Sequence, residues 1–193
     1  MSLDNIFENL TPEELQQASA WLRCLREVET SRVQEILRVL NKNEFYVGRE
    51  RQRARFAVIV AGSSIGTSDY CDIDLFLLSE EELRPEKVGK NSINLTIDDQ
   101  LSGKLPELAY YLEYGMGTGK SILAARELLA QGLGALVTIS LLYGLRNFDK
   151  RRPNHTDDLL EPKEPMKAEQ LIQYNREQGA KFLVLSRQYL IKT

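Results

Sequence analysis

Asp72 and Asp74 are the residues of this chain whose type and spacing most directly suggest chemistry. They open an apolar run, with Ile73 between them and Leu75-Phe76-Leu77-Leu78 behind. Side chains two apart on a strand point to the same face, so on a strand these two carboxylates stand side by side while Ile73 and Leu75 turn into the core. Like charges held that close need a cation between them. Magnesium, a hard ion that prefers oxygen, is commonly held by one or two carboxylates together with substrate phosphates, and manganese can take its place. Ahead of the pair, a first apolar run ends in Gly62-Ser63, whose small side chains suit a turn that brings backbone amides close to phosphate oxygens.

These acids need two strands and the turn between them. Residues 56–60 read as the strand leading into Gly62, and residues 72–78 as the strand leading out. A bare Asp-x-Asp is commonly two solvated acids, but here the pair sits where a buried hairpin opens. Residues 91–98, NSINLTID, alternate polar and apolar as a half-buried strand does. Ile93, Leu95 and Ile97 fall on one face and Asn94, Thr96 and Asp98 on the other, which is the face of Asp72 and Asp74 if the strands pair in register. A bulge or a one-residue slip would put Asp99 there instead.

Gly62-Ser63, a short loop with Gly66-Thr67, and Asp72-Ile73-Asp74 at the head of an apolar strand resemble the signature of the DNA polymerase beta-like nucleotidyltransferases. The resemblance covers residues 31–98, and it implies an α+β fold: a small mixed or antiparallel sheet packed on helices. It also implies that Ser63, with Gly62, Ser64 and Thr67 around it, contacts the triphosphate of a nucleotide. Asp72, Asp74 and a third carboxylate, here Asp98, would hold Mg2+ or Mn2+. The implied reaction moves a nucleoside monophosphate from a triphosphate, ATP being the first expectation, to an acceptor hydroxyl on a small molecule, a protein or an RNA end. One departure from the family pattern is that only Ser64 and Ile65 separate Gly-Ser from the next glycine, where three residues are common.

The rest of the chain frames this core. Thr11-Pro12-Glu13-Glu14 has the form of a helix start, with Thr11 as cap, Pro12 at the first helical position and Glu14 reaching back. Leu15, Ala18, Leu22 and Leu25 follow at helical spacing, giving a helical extension over 1–30. A second start at Ser31 leads Val33, Ile36, Leu37 and Leu40 along one face. The nucleotidyltransferase core is expected over 31–105, and 106–193 is expected to be mostly helical. Within that region, 108–114 and 135–143 read as helices, and 166–193 as two helical stretches hinged at Gly179. Arg49, Arg51, Arg53 and Arg55 read as a solvated edge, and His155 as an exposed bystander.

Gly119-Lys120-Ser121 ends like a Walker loop, but Tyr114 stands where that motif needs its first glycine, so a P-loop ATPase is the least supported alternative. The other alternative is a non-catalytic binding or interaction module of the same fold. With 42% hydrophobic and 27% charged residues and a net charge of -3, the 193-residue chain has the composition of a globular protein, without the basic excess of a nucleic-acid binder. No apolar run reaches the roughly 18 residues of a membrane span, and no basic segment precedes an apolar stretch at the start, so a cytoplasmic location is expected. Cys24 and Cys71 have no partners at zinc spacing and read as free thiols.

Overall fold

The computed structural model describes residues 6–42, 46–47, 52–53, 56–79, 110–114, 126–127, 130–132, 134–142, 159 and 166–187. They form an α+β structure in which a five-stranded mixed sheet is packed between helices. The helices are α1 (Pro12–Cys24), α2 (Glu27–Lys42) and α3 (Ala168–Glu177). The strands are β1 (Tyr46–Val47), β2 (Gln52–Arg53), β3 (Phe56–Ala61), β4 (Asp72–Ser79), β5 (Tyr110–Tyr114), β6 (Leu136–Leu142) and β7 (Phe182–Arg187). β1 and β2 make a separate two-stranded ribbon, and the main sheet runs in the order β5-β6-β4-β3-β7. Strand β3 is antiparallel to both of its neighbours, β4 and β7, whereas β4, β6 and β5 are parallel.

Helix α1 begins as its capping box requires. The Thr11 hydroxyl accepts the Glu14 N–H at 3.2 Å and the Glu14 carboxylate accepts the Thr11 N–H at 3.0 Å, satisfying two end donors at once. Helix α2 begins at Glu27, four residues before the expected start. Glu27 and Glu29 in its first turn complement the helix dipole. Ser31 lies inside the helix and donates its hydroxyl to the Glu27 carbonyl at 3.1 Å, so it is not a cap. Val33, Ile36, Leu37 and Leu40 are fully buried along one face.

Among the described residues three expected helices are strands, and the helical reading of 106–193 is corrected at those positions. Residues 110–114 form β5, residues 136–142 form β6, and residues 182–187 form β7. A short, largely apolar run is not separated from a buried helix by its overall hydropathy, although Val137, Ile139 and Leu141 of β6 alternate with Thr138 and Ser140 as a strand does. The β-branched content of Val137-Thr138-Ile139 and the tyrosines of β5 carried the strand signal. The hinge at Gly179 is in place: with φ of +77° it ends α3, and the Ala180 N–H returns to the Asn175 carbonyl at 3.0 Å.

The sheet separates two apolar layers. Phe56, Val58 and Val60 of β3 and Ile73, Leu75 and Leu77 of β4 pack with α1 and α2 through Trp21, Leu22, Ile36 and Leu37. On the opposite face Ala57, Ile59, Ala61, Phe76 and Leu78 pack with Ala168, Leu171 and Ile172 of α3. Both faces of β3 are therefore buried from end to end. The chain start is tied to the same sheet, since Glu8 bridges Ser186 in parallel and its carbonyl accepts the Arg187 N–H at 3.0 Å.

Candidate functional site

Asp72 and Asp74 lie at the N-terminal end of β4, on one face, as their spacing predicts. Ile73 and Leu75 between and after them are fully buried, while both aspartates are half-buried. Their face is the α3 face, because Phe76 and Leu78 continue the same alternation into that layer. This one row of side chains thus changes from apolar to acidic as it leaves the core. In register, Asp74 pairs with Ala61 of β3 on one side and with Thr138 of β6 on the other, and Asp72 pairs with Leu136.

The loop from β3 to β4 closes over this end of the sheet. Gly62 has φ of +82° and ψ of -167°, a conformation essentially restricted to glycine. Its backbone lies so close to Asp74 that a Cβ there would stand 2.6 Å from the carboxylate oxygen Oδ2. Residues 63–65 make one 3-10 turn, followed by Gly66 N–H to the Ser63 carbonyl at 3.2 Å and Thr67 N–H to the same carbonyl at 3.3 Å. Ser63 and Thr67 are exposed, and the Thr67 hydroxyl donates to the Asp69 carbonyl at 3.1 Å. Ser64 is buried: its carbonyl accepts the Trp21 indole N–H at 3.1 Å, whereas its hydroxyl oxygen has no hydrogen-bond partner. Helix α1 thereby anchors the loop through the chain's single tryptophan.

Six of the seven residues expected at the site lie among the described residues, and five of them gather at this end of the sheet: Gly62, Ser63, Ser64, Asp72 and Asp74. The sixth, Thr67, closes the loop just beyond them. Asp98, its neighbour Asp99, Lys120 and His155 fall outside the described residues. Among the described residues no three or more acids, histidines or cysteines group as a metal site. Cys24 and Cys71 are exposed free thiols.

Two buried charge networks were not expected. In the first, Glu29 of α2 is fully buried. It accepts the Ala135 N–H at 2.6 Å, pairs with Arg26 at 2.6 Å and accepts the Tyr70 hydroxyl. Burial pushes its carboxyl up, but the hydrogen bonds from Arg26, Tyr70 and Ala135 outweigh that and leave it below the ordinary glutamate range. Arg26 also lies over the Tyr70 ring, 4.9 Å from its centroid. In the second, Glu14 forms a fork with Arg187, two bonds of 2.6 Å each, while also bonding Arg176, and Arg187 reaches Glu169 at 3.0 Å. Burial opposes ionisation of Glu14, yet its arginines and the Thr11 N–H hold it at about 2, against an ordinary 4.5. Sequence showed Glu14 as a capping residue; nothing local marked it as half of a buried ion pair, because its partner is far along the chain.

No protein-family model, no curated protein and no solved structure matches this chain. The residues present suit a divalent cation of the magnesium type, because two hard carboxylates share a partly exposed face beside the Gly62 turn.

Proposed function

We propose that the protein is a magnesium-dependent nucleotidyltransferase of the DNA polymerase beta-like type, moving a nucleoside monophosphate from a triphosphate to an acceptor hydroxyl. The observation that carries this reading is the pair Asp72 and Asp74, sharing one face where the row they head leaves the core, with the Gly62 backbone packed against Asp74. Asp72 and Asp74 would hold the cation, with Asp98 as the third acid. When bound, the cation supplies neutralisation of triphosphate charge and a lowered pKa for the acceptor hydroxyl. The exposed Ser63 and the turn from Gly62 to Thr67 present the triphosphate, and the close approach of Gly62 keeps the Asp74 carboxylate at the edge of that turn. The acceptor oxygen bonds to the α-phosphorus as the bond to the bridging oxygen breaks, pyrophosphate leaves, and the acceptor proton passes to a carboxylate or to water. Chemistry of this kind depends chiefly on positioning and charge neutralisation, so it asks few further groups of the chain.

The protein is to be incubated with each labelled nucleoside triphosphate, magnesium and candidate acceptors, and released pyrophosphate measured. Turnover that disappears in Asp72→Asn and in Asp74→Asn supports the reading; turnover retained in both removes the aspartates from the mechanism. Asp98→Ala is expected to slow transfer by about two orders of magnitude or more while Asp99→Ala changes it little, since a third acid acts mainly on the transition state. A larger loss at Asp99 would shift the register by one residue. Among the described residues no helix is long and apolar enough to cross a membrane.

A further inference from the structure

We propose that Glu29 is a positioning residue for the acidic site: its buried carboxylate pins the entries of the adjacent parallel strands β4 and β6 and so fixes where Asp72 and Asp74 stand. The proposal rests on the reading of those aspartates as cation ligands. Its basis is what Glu29 touches. The Tyr70 hydroxyl, two residues before Asp72, donates to one carboxylate oxygen, and the Ala135 N–H, one residue before the Leu136 that pairs with Asp72, donates to the other. One carboxylate therefore ties the approach to both strands at the register position of Asp72.

The rest of α2 tightens the same point. Arg32, three residues on and buried, donates to the Ala135 carbonyl at 3.2 Å, so both polar groups of Ala135 are held by side chains one helical turn apart. Gly134, with φ of +83°, lets the chain pass against the helix, since a Cβ there would lie 2.9 Å from both a Glu29 oxygen and a Val28 methyl. Tyr70 is fixed from a second side, because its oxygen accepts the Arg26 N–H at 3.4 Å. Glu29 is fully buried while its ion-pair partner Arg26 is about half exposed, so the pair itself adds little net stability, and what the carboxylate fixes is the position of the two segments bonded to it. Those segments enter the two strands beside the aspartates.

The test uses Mn2+ as probe and the full chain. Wild type, Glu29→Gln, the milder Tyr70→Phe, and Glu14→Gln, which breaks the other buried network, are compared at a temperature where thermal melts show each one folded. Mn2+ affinity is read by the loss of the free-ion resonance signal, and amide exchange is read over residues 72–74 and 136–138. Expected are an affinity loss of about tenfold in Glu29→Gln and a smaller loss in Tyr70→Phe, magnitudes seen for groups that orient metal ligands, together with faster exchange at both strand entries. Glu14→Gln should lower the melting temperature and leave affinity and those amides unchanged. Should Glu29→Gln fail to fold, Tyr70→Phe decides. Affinity and exchange that match the Glu14→Gln control overturn the proposal and make Glu29 a stability element only. A wild type that binds no Mn2+ removes the metal reading, and exchange at the strand entries then decides separately whether Glu29 pins them.

Discussion

The two faces of β4 are built from the same eight residues and do different things. Toward α1 and α2, Ile73, Leu75 and Leu77 are buried without interruption, and α1 also reaches the loop through Trp21. Toward α3, Phe76 and Leu78 are buried but Asp72 and Asp74 are not fully covered. The difference shows how a small α+β protein can carry a polar site at little cost to its core. One face supplies the burial that stabilises the sheet, and the other gives up its last two positions to acids whose strand is already held from behind.

The sharpest way to break this comparison is to substitute neighbouring residues on opposite faces. Leu75→Ala removes a fully buried side chain and should cost roughly 2–5 kcal/mol, read by denaturant unfolding. Asp74→Asn, one residue away, should change stability by less than about 1 kcal/mol while abolishing Mn2+ binding. If Asp74→Asn proves as destabilising as Leu75→Ala, the acidic end is part of the packing and the division between faces fails.

A second measurement asks how the covered face is fastened. Helix α1 is held to β7 by Glu14 and Arg187, each about 5% exposed. The carboxyl of Glu14 sits at about 2 when folded, against an ordinary 4.5. A depressed carboxyl stabilises the folded state above its unfolded value, and that contribution is lost as pH falls through the folded one. Between pH 4.5 and pH 2 the protein should therefore lose stability from this group, on the order of 3 kcal/mol. Glu14→Gln should be less stable at pH 7 and flatten the acid limb of an unfolding profile. An unchanged acid limb would show that α1 is held by its apolar contacts alone.

The site was legible where chemistry and period coincide, and less so where structure is set by distant partners. Asp72 and Asp74 could be placed on one face because strand alternation needs no tertiary information. The Thr11 to Glu14 capping box is likewise local, and the structure forms it as written. β6 reads as a helix only from the length of its apolar run; the alternation of Val137, Ile139 and Leu141 with Thr138 and Ser140 is the strand signal it carries. The capping glutamate, Glu14, was visible as such, but its second role depends on Arg187, and Glu29 depends on Tyr70 and Ala135. A charged residue that is buried only because the chain returns to meet it leaves no periodic signal.

The finest test of how the loop meets the acidic face comes from two glycines in that loop. At Gly62 the backbone is in a region where an L residue is strained by about 1–3 kcal/mol, and a new Cβ would press on the Asp74 carboxylate from 2.6 Å. The carboxylate is the end of a side chain and can give way, so Gly62→Ala should cost about 1–3 kcal/mol in unfolding experiments, mostly from the backbone, yet weaken Mn2+ binding because Asp74 has moved. Gly66 differs in both respects. Its φ is -118°, nothing lies within 4 Å of a Cβ built on it, and Gly66→Ala should leave Mn2+ affinity unchanged and alter stability by less than about 1 kcal/mol. Calorimetric titration of Mn2+ into both variants separates the two glycines. Equal affinities would mean that the close approach of Gly62 to Asp74 is a feature of the turn alone and does not place the carboxylate; a loss confined to Gly62→Ala ties the geometry of the loop directly to that of the acidic pair.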